Sequence, residues 1–248
     1  TMLDKTSEQK IILLTGASRG IGHATVRKFS EEKWRVITCS RQAFDQKCPW
    51  PGGEANHIQV DLSNPNNTLE AIEEIKGRLK GKLHALVNNA GISPKDEKGK
   101  RLDSISTDLS IWGQVFHVNF FASVILARGL QKELVKAKGT IVNVTSIAGS
   151  RVHPFAGAAY ATSKAALGAL TREMANDFGP LGVRVNAIAP GEVKTAILSK
   201  GTEKIVSDIP MKRLGLPEEV ADTIFYLCSE HASYVSGAEI EINGGQHV

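Results

Sequence analysis

Thr15-Gly16-Ala17-Ser18-Arg19-Gly20-Ile21-Gly22 follows the apolar run Ile11-Ile12-Leu13-Leu14 and opens an amphipathic stretch, Ile21 to Glu32. An apolar run without alternation suits a strand covered on both faces. The glycines after it permit a sharp turn and bring backbone amides to the positive end of a helix, where a pyrophosphate can be received. The spacing is Gly-x-x-x-Gly-x-Gly rather than Gly-x-Gly-x-x-Gly, but the physical logic is shared. Gly16, Ser18, Arg19, Gly20, Ile21 and Gly22 are the first candidate cofactor contacts.

Outward from this loop the chain keeps alternating β-type and helical segments, the pattern of parallel strands joined by crossover helices. Strands are expected at Ile11–Leu14, Val36–Cys39, His57–Val60, Ala85–Asn88, Thr140–Thr145, Val183–Ile188 and Glu239–Ile242. Helices are expected at Ile21–Glu32, Thr68–Leu79, Leu109–Lys136, Ala158–Asp177 and Pro217–Ser229. The fold class is therefore α/β, a Rossmann-type doubly wound parallel seven-stranded sheet with helices on both faces. No repeat or linker divides the 248 residues, so 1–248 reads as one domain.

Composition narrows the function classes. The net charge is +4, but Lys and Arg are interspersed with acids, as in Glu31-Glu32-Lys33, so no basic stripe marks a nucleic-acid partner. No uninterrupted apolar run approaches the roughly 18 residues of a transmembrane span, and Thr1–Lys10 has no apolar signal core. A cytoplasmic location without membrane partners is the expectation. Cys39, Cys48 and Cys228 are too scattered for a disulfide framework, and the seven histidines lack metal-ligand spacing. No metal is expected.

The second strand ends in Cys39-Ser40-Arg41, where a dinucleotide fold usually carries an acid for the adenosine ribose. Without that carboxylate a 2′-phosphate is not repelled, and Arg41 offers it planar donors beside Ser40, with Arg19 adding charge. NADP(H) is preferred over NAD(H) on this ground.

Tyr160-Ala-Thr-Ser-Lys164 places a phenol and an amine four residues apart, on one helix face. Asn88-Asn89-Ala90-Gly91 follows the fourth strand and Ser146 the fifth. With the glycine loop, Asp61, Asn119, Pro190-Gly191 and the terminal Asn243-Gly244-Gly245, the ordered set resembles the short-chain dehydrogenase/reductase family in its compact form. The resemblance covers nearly the whole chain. It implies that Asp61 and Leu62 border the adenine, and that Asn88, Ala90 and Gly91 border the adenosine side. It places Pro190, Gly191, Val193 and Thr195 near the nicotinamide and phosphates.

The resemblance makes Asn119, Ser146, Tyr160 and Lys164 the catalytic set. Carbonyl reduction needs a proton donor and a hydrogen-bond donor at the oxygen that gains charge. Tyr160 is the expected acid, its pKa lowered from about 10 by the positive charge of Lys164 and, when oxidised, of the nicotinamide. Ser146 orients the carbonyl, Lys164 also holds the nicotinamide ribose, and Asn119 positions a water that links Lys164 to solvent. Ser93, His153, Phe155, Glu192 and Ile197 are the candidate substrate contacts.

Within the family the likeness is greatest to 3-oxoacyl-(acyl-carrier-protein) reductases. Two features depart from them: the charged segment Lys95–Arg101, and Pro180-Leu181 where such reductases often carry basic residues. A thioester-linked carbonyl is the first substrate class, and a sugar, polyol or other secondary alcohol the second. A non-catalytic NADP-binding regulator is the reading outside enzymology, since a fold alone does not establish chemistry. Small residues on Ala158–Asp177, by the same resemblance, imply a homotetramer, with a dimer as the alternative.

Overall fold

The computed structural model describes residues 8–46, 50–195, 201 and 204–248. Seven parallel strands form one sheet, β1 (Ile11–Thr15), β2 (Arg35–Ser40), β3 (His57–Gln59), β4 (Ala85–Asn88), β5 (Thr140–Val144), β6 (Arg184–Pro190) and β7 (Glu239–Ile242). Their spatial order is β3-β2-β1-β4-β5-β6-β7, and every adjacent pair is parallel. The helices are α1 (Gly20–Glu31), α2 (Pro65–Arg78), α3 (Leu109–Phe116), α4 (Ala122–Gly129), α5 (Gln131–Ala137), α6 (Ala158–Phe178) and α7 (Pro217–Cys228).

Period-two alternation within β1 builds two cores at once. Ile11 and Leu13 join Ile72 and Ile75 of α2, Leu126 of α4, and Met174 and Phe178 of α6. Ile12 and Leu14 face the other way, to Val26 and Phe29 of α1 and Val220, Ile224 and Leu227 of α7. Trp34 closes this second core edge-on to Phe29, with ring centroids 5.1 Å apart. Because both faces are covered, the strand runs need no polar residues, which is why they read as continuous apolar stretches.

Two helical segments differ most from the sequence expectation. Helix α2 begins at Pro65, three residues before Thr68, because Asn64 caps it by accepting from the Asn66 amide at 2.9 Å and proline suits the first helical position. The single helix expected over Leu109–Lys136 is instead α3, a π-helical turn at His117–Phe121, α4, and a separate α5. Leu130, with φ −106°, separates the last two. Moreover, the continuous run Leu109–Gly129 has a mean hydropathy of 1.5 and is long and apolar enough to cross a membrane, although its sequence is never uninterruptedly apolar.

The chain leaves β1 toward β2 and β4 toward β5, so the sheet order reverses between β1 and β4. In such sheets the crevice outside the strand ends at this point receives the ligand. The glycine loop after β1 and Asn89-Ala90-Gly91 after β4 meet there.

Candidate active site

Thr15 and Asn89 clamp the two loops. The Thr15 hydroxyl accepts from the amides of Asn89 at 3.1 Å and Ala90 at 3.0 Å, while Asn89 Nδ2 donates to the carbonyls of Thr15 and Gly16. Gly16 has φ +70°, and a Cβ there would lie 2.8 Å from Ala90 Cα, so only glycine permits both the turn and the approach. A Cβ on Gly22 would meet the Gly16 carbonyl. Arg19 caps α1 in extended backbone with no side-chain hydrogen bond, leaving the first-turn amides without a side-chain acceptor.

Thr195, from the far side of β6, comes within 3.1 Å of the Cβ position of Gly20. A cradle is thus formed between the start of α1 and the loop after β6, with the first-turn amides of α1 on one side and the Thr195 side chain on the other. These residues fit a dinucleotide pyrophosphate. Ser18 and Arg19 are exposed and Ile21 half-buried at the same mouth.

At the end of β2, Ser40 is buried and its hydroxyl donates to the Gln42 carbonyl, whereas Arg41 is exposed. Asp61 accepts from the Ser63 amide at 2.9 Å; that bond, the Ser63 hydroxyl and then the charge of Arg41 hold its carboxyl below the usual range. Leu62 belongs to the apolar core beneath. Asn88 donates to Asn143 Oδ1 at 2.8 Å, and Asn143 donates on to Thr171, so Asn88 joins β4, β5 and α6 within the sheet.

The catalytic candidates converge at the ends of β5 and α6. Lys164 is buried and donates to the Val144 carbonyl at 2.7 Å, with its Nζ 5.7 Å from the Tyr160 ring centroid. Burial pushes its amine down to about 8. Gly91 lies against it: a Cβ there would stand 3.2 Å from Lys164 Nζ and 3.6 Å from Asn119 Oδ1. Ser146 follows β5 and begins a short turn by accepting from the Ala148 amide.

Desolvation raises the Tyr160 phenol, a hydrogen bond from Ser146 opposes that, and the charge of Glu192 adds to the rise. Burial disfavours the charged phenolate and is the largest of these influences.

Asn119 sits inside the π-helical turn, a feature frequent at functional sites. Its Oδ1 accepts from the Ile92 amide at 2.8 Å, and its Nδ2 donates to the Ile92 carbonyl at 3.1 Å and to Ser163 Oγ at 3.0 Å. Ser163 in turn donates to the Tyr160 carbonyl at 2.7 Å. Ser163, Asn89 and Thr15 are site-building residues that motif reading left without a role; each was signalled only by being a small polar residue inside a motif.

On the substrate side His153 Nε2 lies 2.7 Å from Glu192 Oε1, both side chains being largely covered. The Phe155 amide donates to His153 Nδ1 at 3.3 Å, which leaves the ring proton on Nε2, facing the carboxylate. Lys95 donates to the Phe155 carbonyl. Glu192 is held by its own backbone pairing to Gly215, next to Val193, which is buried. Ser93 is exposed, and Ile197 lies outside the described residues. Gly191 is closed in by the chain end rather than by open space: a Cβ there would meet Asn243 and Gln246. Its neighbour Pro190 ends β6.

Residues 16–247 match the family described as Enoyl-(Acyl carrier protein) reductase. The chain is 60% identical over 244 residues to Protein FixR of Bradyrhizobium diazoefficiens, covering 97% of this chain and 88% of that protein. It is 33% identical to the 3-oxoacyl-(acyl-carrier-protein) reductase FabG of Aquifex aeolicus over 95% of this chain and 96% of that one. A crystal structure of a Brucella ovis oxidoreductase of the short chain dehydrogenase/reductase family, in complex with a partially ordered NAD, superposes with a TM-score of 0.84 at 62% identity, over 95% of this chain and 100% of that chain.

Proposed function

The chain belongs to the short-chain dehydrogenase/reductase family and is an oxidoreductase acting on carbonyl or alcohol groups; on that premise we propose that it is an NADP(H)-dependent reductase of a 3-oxoacyl-type carbonyl. One observation carries the reading: Ser146, Tyr160 and Lys164 stand together beside a backbone cradle built from Gly16, Gly20 and Thr195. The identity to FabG supports the 3-oxoacyl class. The carboxylate-free end of β2, with Arg41 exposed, supports the NADP(H) preference.

A bound nicotinamide supplies the hydride for the carbonyl carbon. Tyr160 delivers its phenolic proton to the carbonyl oxygen, and the raised pKa keeps that proton available through neutral pH. Ser146 donates to the same oxygen as charge develops there. Lys164, anchored on Val144, supplies the neighbouring charge that eases proton return to Tyr160. Asn119 keeps one lone pair free beside Gly91 and Lys164, where a water can pass that proton on.

NADPH consumption with acetoacetyl thioester, against Tyr160→Phe as the blank, tests this. Tyrosine-dependent turnover supports it; binding of NADPH without turnover of thioesters or simple ketones sinks it. The charged mouth formed by Lys95, His153 and Glu192 favours a second reading, a small polar carbonyl or secondary alcohol.

We further propose a homotetramer. Ala165 and Ala169 leave a small exposed face on α6, and Leu109 and Phe121 are 83% and 45% exposed on the neighbouring apolar run. Such surfaces suit a copy of the same chain. A light-scattering mass near 26.7 kDa would reject this.

A further inference from the structure

The segment Lys95–Arg101 is an ordered hairpin. Lys95 and Arg101 pair across an antiparallel bridge, Asp96 Oδ1 accepts from the amides of Lys98 at 2.9 Å and Lys100 at 2.7 Å, and Gly99 turns the chain with φ +74°. The next residue, Leu102, accepts from the Ala158 amide at 2.9 Å, docking the hairpin on the first turn of the helix that carries Tyr160.

Residues directly opposite on an antiparallel pair share one face, and like charges there repel. Lys95 and Arg101 are such a pair, both half-buried. Arg101 Nε is moreover buried without a hydrogen-bond partner, an arrangement that native structures rarely leave unexplained. Lys95 spends one N–H on the Phe155 carbonyl and keeps two. Burial lowers its amine, and the charge of Glu192 opposes that.

The neighbouring acids have their own hydrogen-bond or ion-pair partners. Glu192 is met by His153 at 2.7 Å. Asp96 is taken by the hairpin amides, and Asp103, which feels Arg101, accepts from the amides of Ile105 and Ser106. Lys95 and Arg101 therefore stand as two adjacent cations on one face of the hairpin, tied to the segment before Tyr160 through the Phe155 carbonyl and the Leu102–Ala158 bond.

We infer that the substrate of this site is a small oxo-carboxylate, whose ionised carboxylate is received by Lys95 and Arg101 while its carbonyl meets Tyr160 and Ser146. A guanidinium whose buried Nε–H has no partner, set beside an ammonium, suits the two oxygens of a carboxylate. The inference deepens the reductase reading and rests on it for the position of the carbonyl. As to substrate, it follows the second of the two readings, a small polar carbonyl, rather than the acyl thioester.

The test compares kcat/KM for pyruvate, acetoacetate and levulinate with that for each methyl ester. At least one acid should exceed its ester by about tenfold or more, the scale of one charge-assisted hydrogen bond. Arg101→Glu should bring that ratio below one, and Lys95→Met should lower it. Esters equal to acids in all three pairs, or a ratio unmoved by Arg101→Glu, overturn the inference while leaving the reductase reading intact. Should none turn over, calorimetric titration into the enzyme saturated with NADP+ decides. Acid binding absent for the ester and lost in Arg101→Glu keeps the carboxylate site and sinks the reductase reading. Equal binding, or none, overturns the carboxylate site.

Discussion

Lys164 donates to the main-chain carbonyl of Val144 at 2.7 Å, so the buried amine of α6 is anchored to the last residue of β5, two positions before Ser146. One strand end therefore sets the positions of both a charge and a hydroxyl. The bond satisfies a donor that burial would otherwise strand, yet the amine still falls to about 8, because desolvation opposes its charged form.

That drop makes Lys164 a stability liability at neutral pH. A fall from 10.5 to about 8 corresponds to an order of 3 kcal/mol. Below pH 8 the lysine is charged in both states and the full penalty applies; between pH 8 and 10.5 the unfolded chain holds the extra proton, and the penalty shrinks to nothing. Replacing Lys164 by Met removes it, but leaves the Val144 carbonyl unpaired at about 1–3 kcal/mol. Lys164→Met is expected to melt a few degrees above wild type at pH 7 and below it above pH 10.5, as followed by circular dichroism. An equal offset at both pH values would contradict the buried-charge account.

For Tyr160 the raised phenol fixes the direction of the pH response. Carbonyl reduction needs the proton in place, so its rate should stay level through neutrality and fall in alkali. Alcohol oxidation needs the phenolate and should rise over the same range. Tyr160→Phe is expected to bind cofactor normally and lose about 100- to 10,000-fold in turnover. A profile unchanged by this substitution would assign the proton to another group.

Much of this was legible because the strongest signals are local. The glycine loop, the Tyr160–Lys164 spacing and the apolar strands each fix short-range geometry. What escaped reading depends on tertiary partners. Asn119 looked like one polar residue in a long helix, and only the Ile92 backbone and Ser163 explain the π-helical turn around it. The Leu62 side chain packs into the core, a placement that its position after the third strand does not spell out. The burial that raises the Tyr160 phenol in the protein alone is likewise not written in a motif.

Arg41 offers a separable test of cofactor choice. It is exposed at the end of β2, and its charge reaches Asp61, which holds a hydrogen bond with Ser63. Nothing in this arrangement needs Arg41 for folding. Arg41→Ala should weaken NADPH binding by about tenfold, the scale of one charge-assisted contact, and leave NADH within twofold. Equal losses for both cofactors in fluorescence titration would mean that the side chain does not meet a 2′-phosphate.

The two positive-φ glycines of the loop should fail differently. At Gly16, φ +70°, a Cβ meets the Ala90 backbone at 2.8 and 2.9 Å, so alanine must push apart the loops that Asn89 ties together. At Gly20, φ +54°, the nearest obstacle is the Thr195 methyl at 3.1 Å, a side chain able to give way. Left-handed backbone costs a non-glycine residue about 1–2 kcal/mol at either site, and only Gly16 adds a backbone collision. Gly16→Ala is expected to lose well over 2 kcal/mol in urea unfolding. Gly20→Ala should lose about 1–2 kcal/mol, fold, and bind cofactor poorly, because the methyl group enters the cradle between α1 and Thr195. Thr195→Gly in the Gly20→Ala background should return part of that binding by giving the methyl group room. Equal destabilisation of the two glycine variants, with cofactor binding intact in Gly20→Ala, would mean that the cradle is not where the pyrophosphate lies.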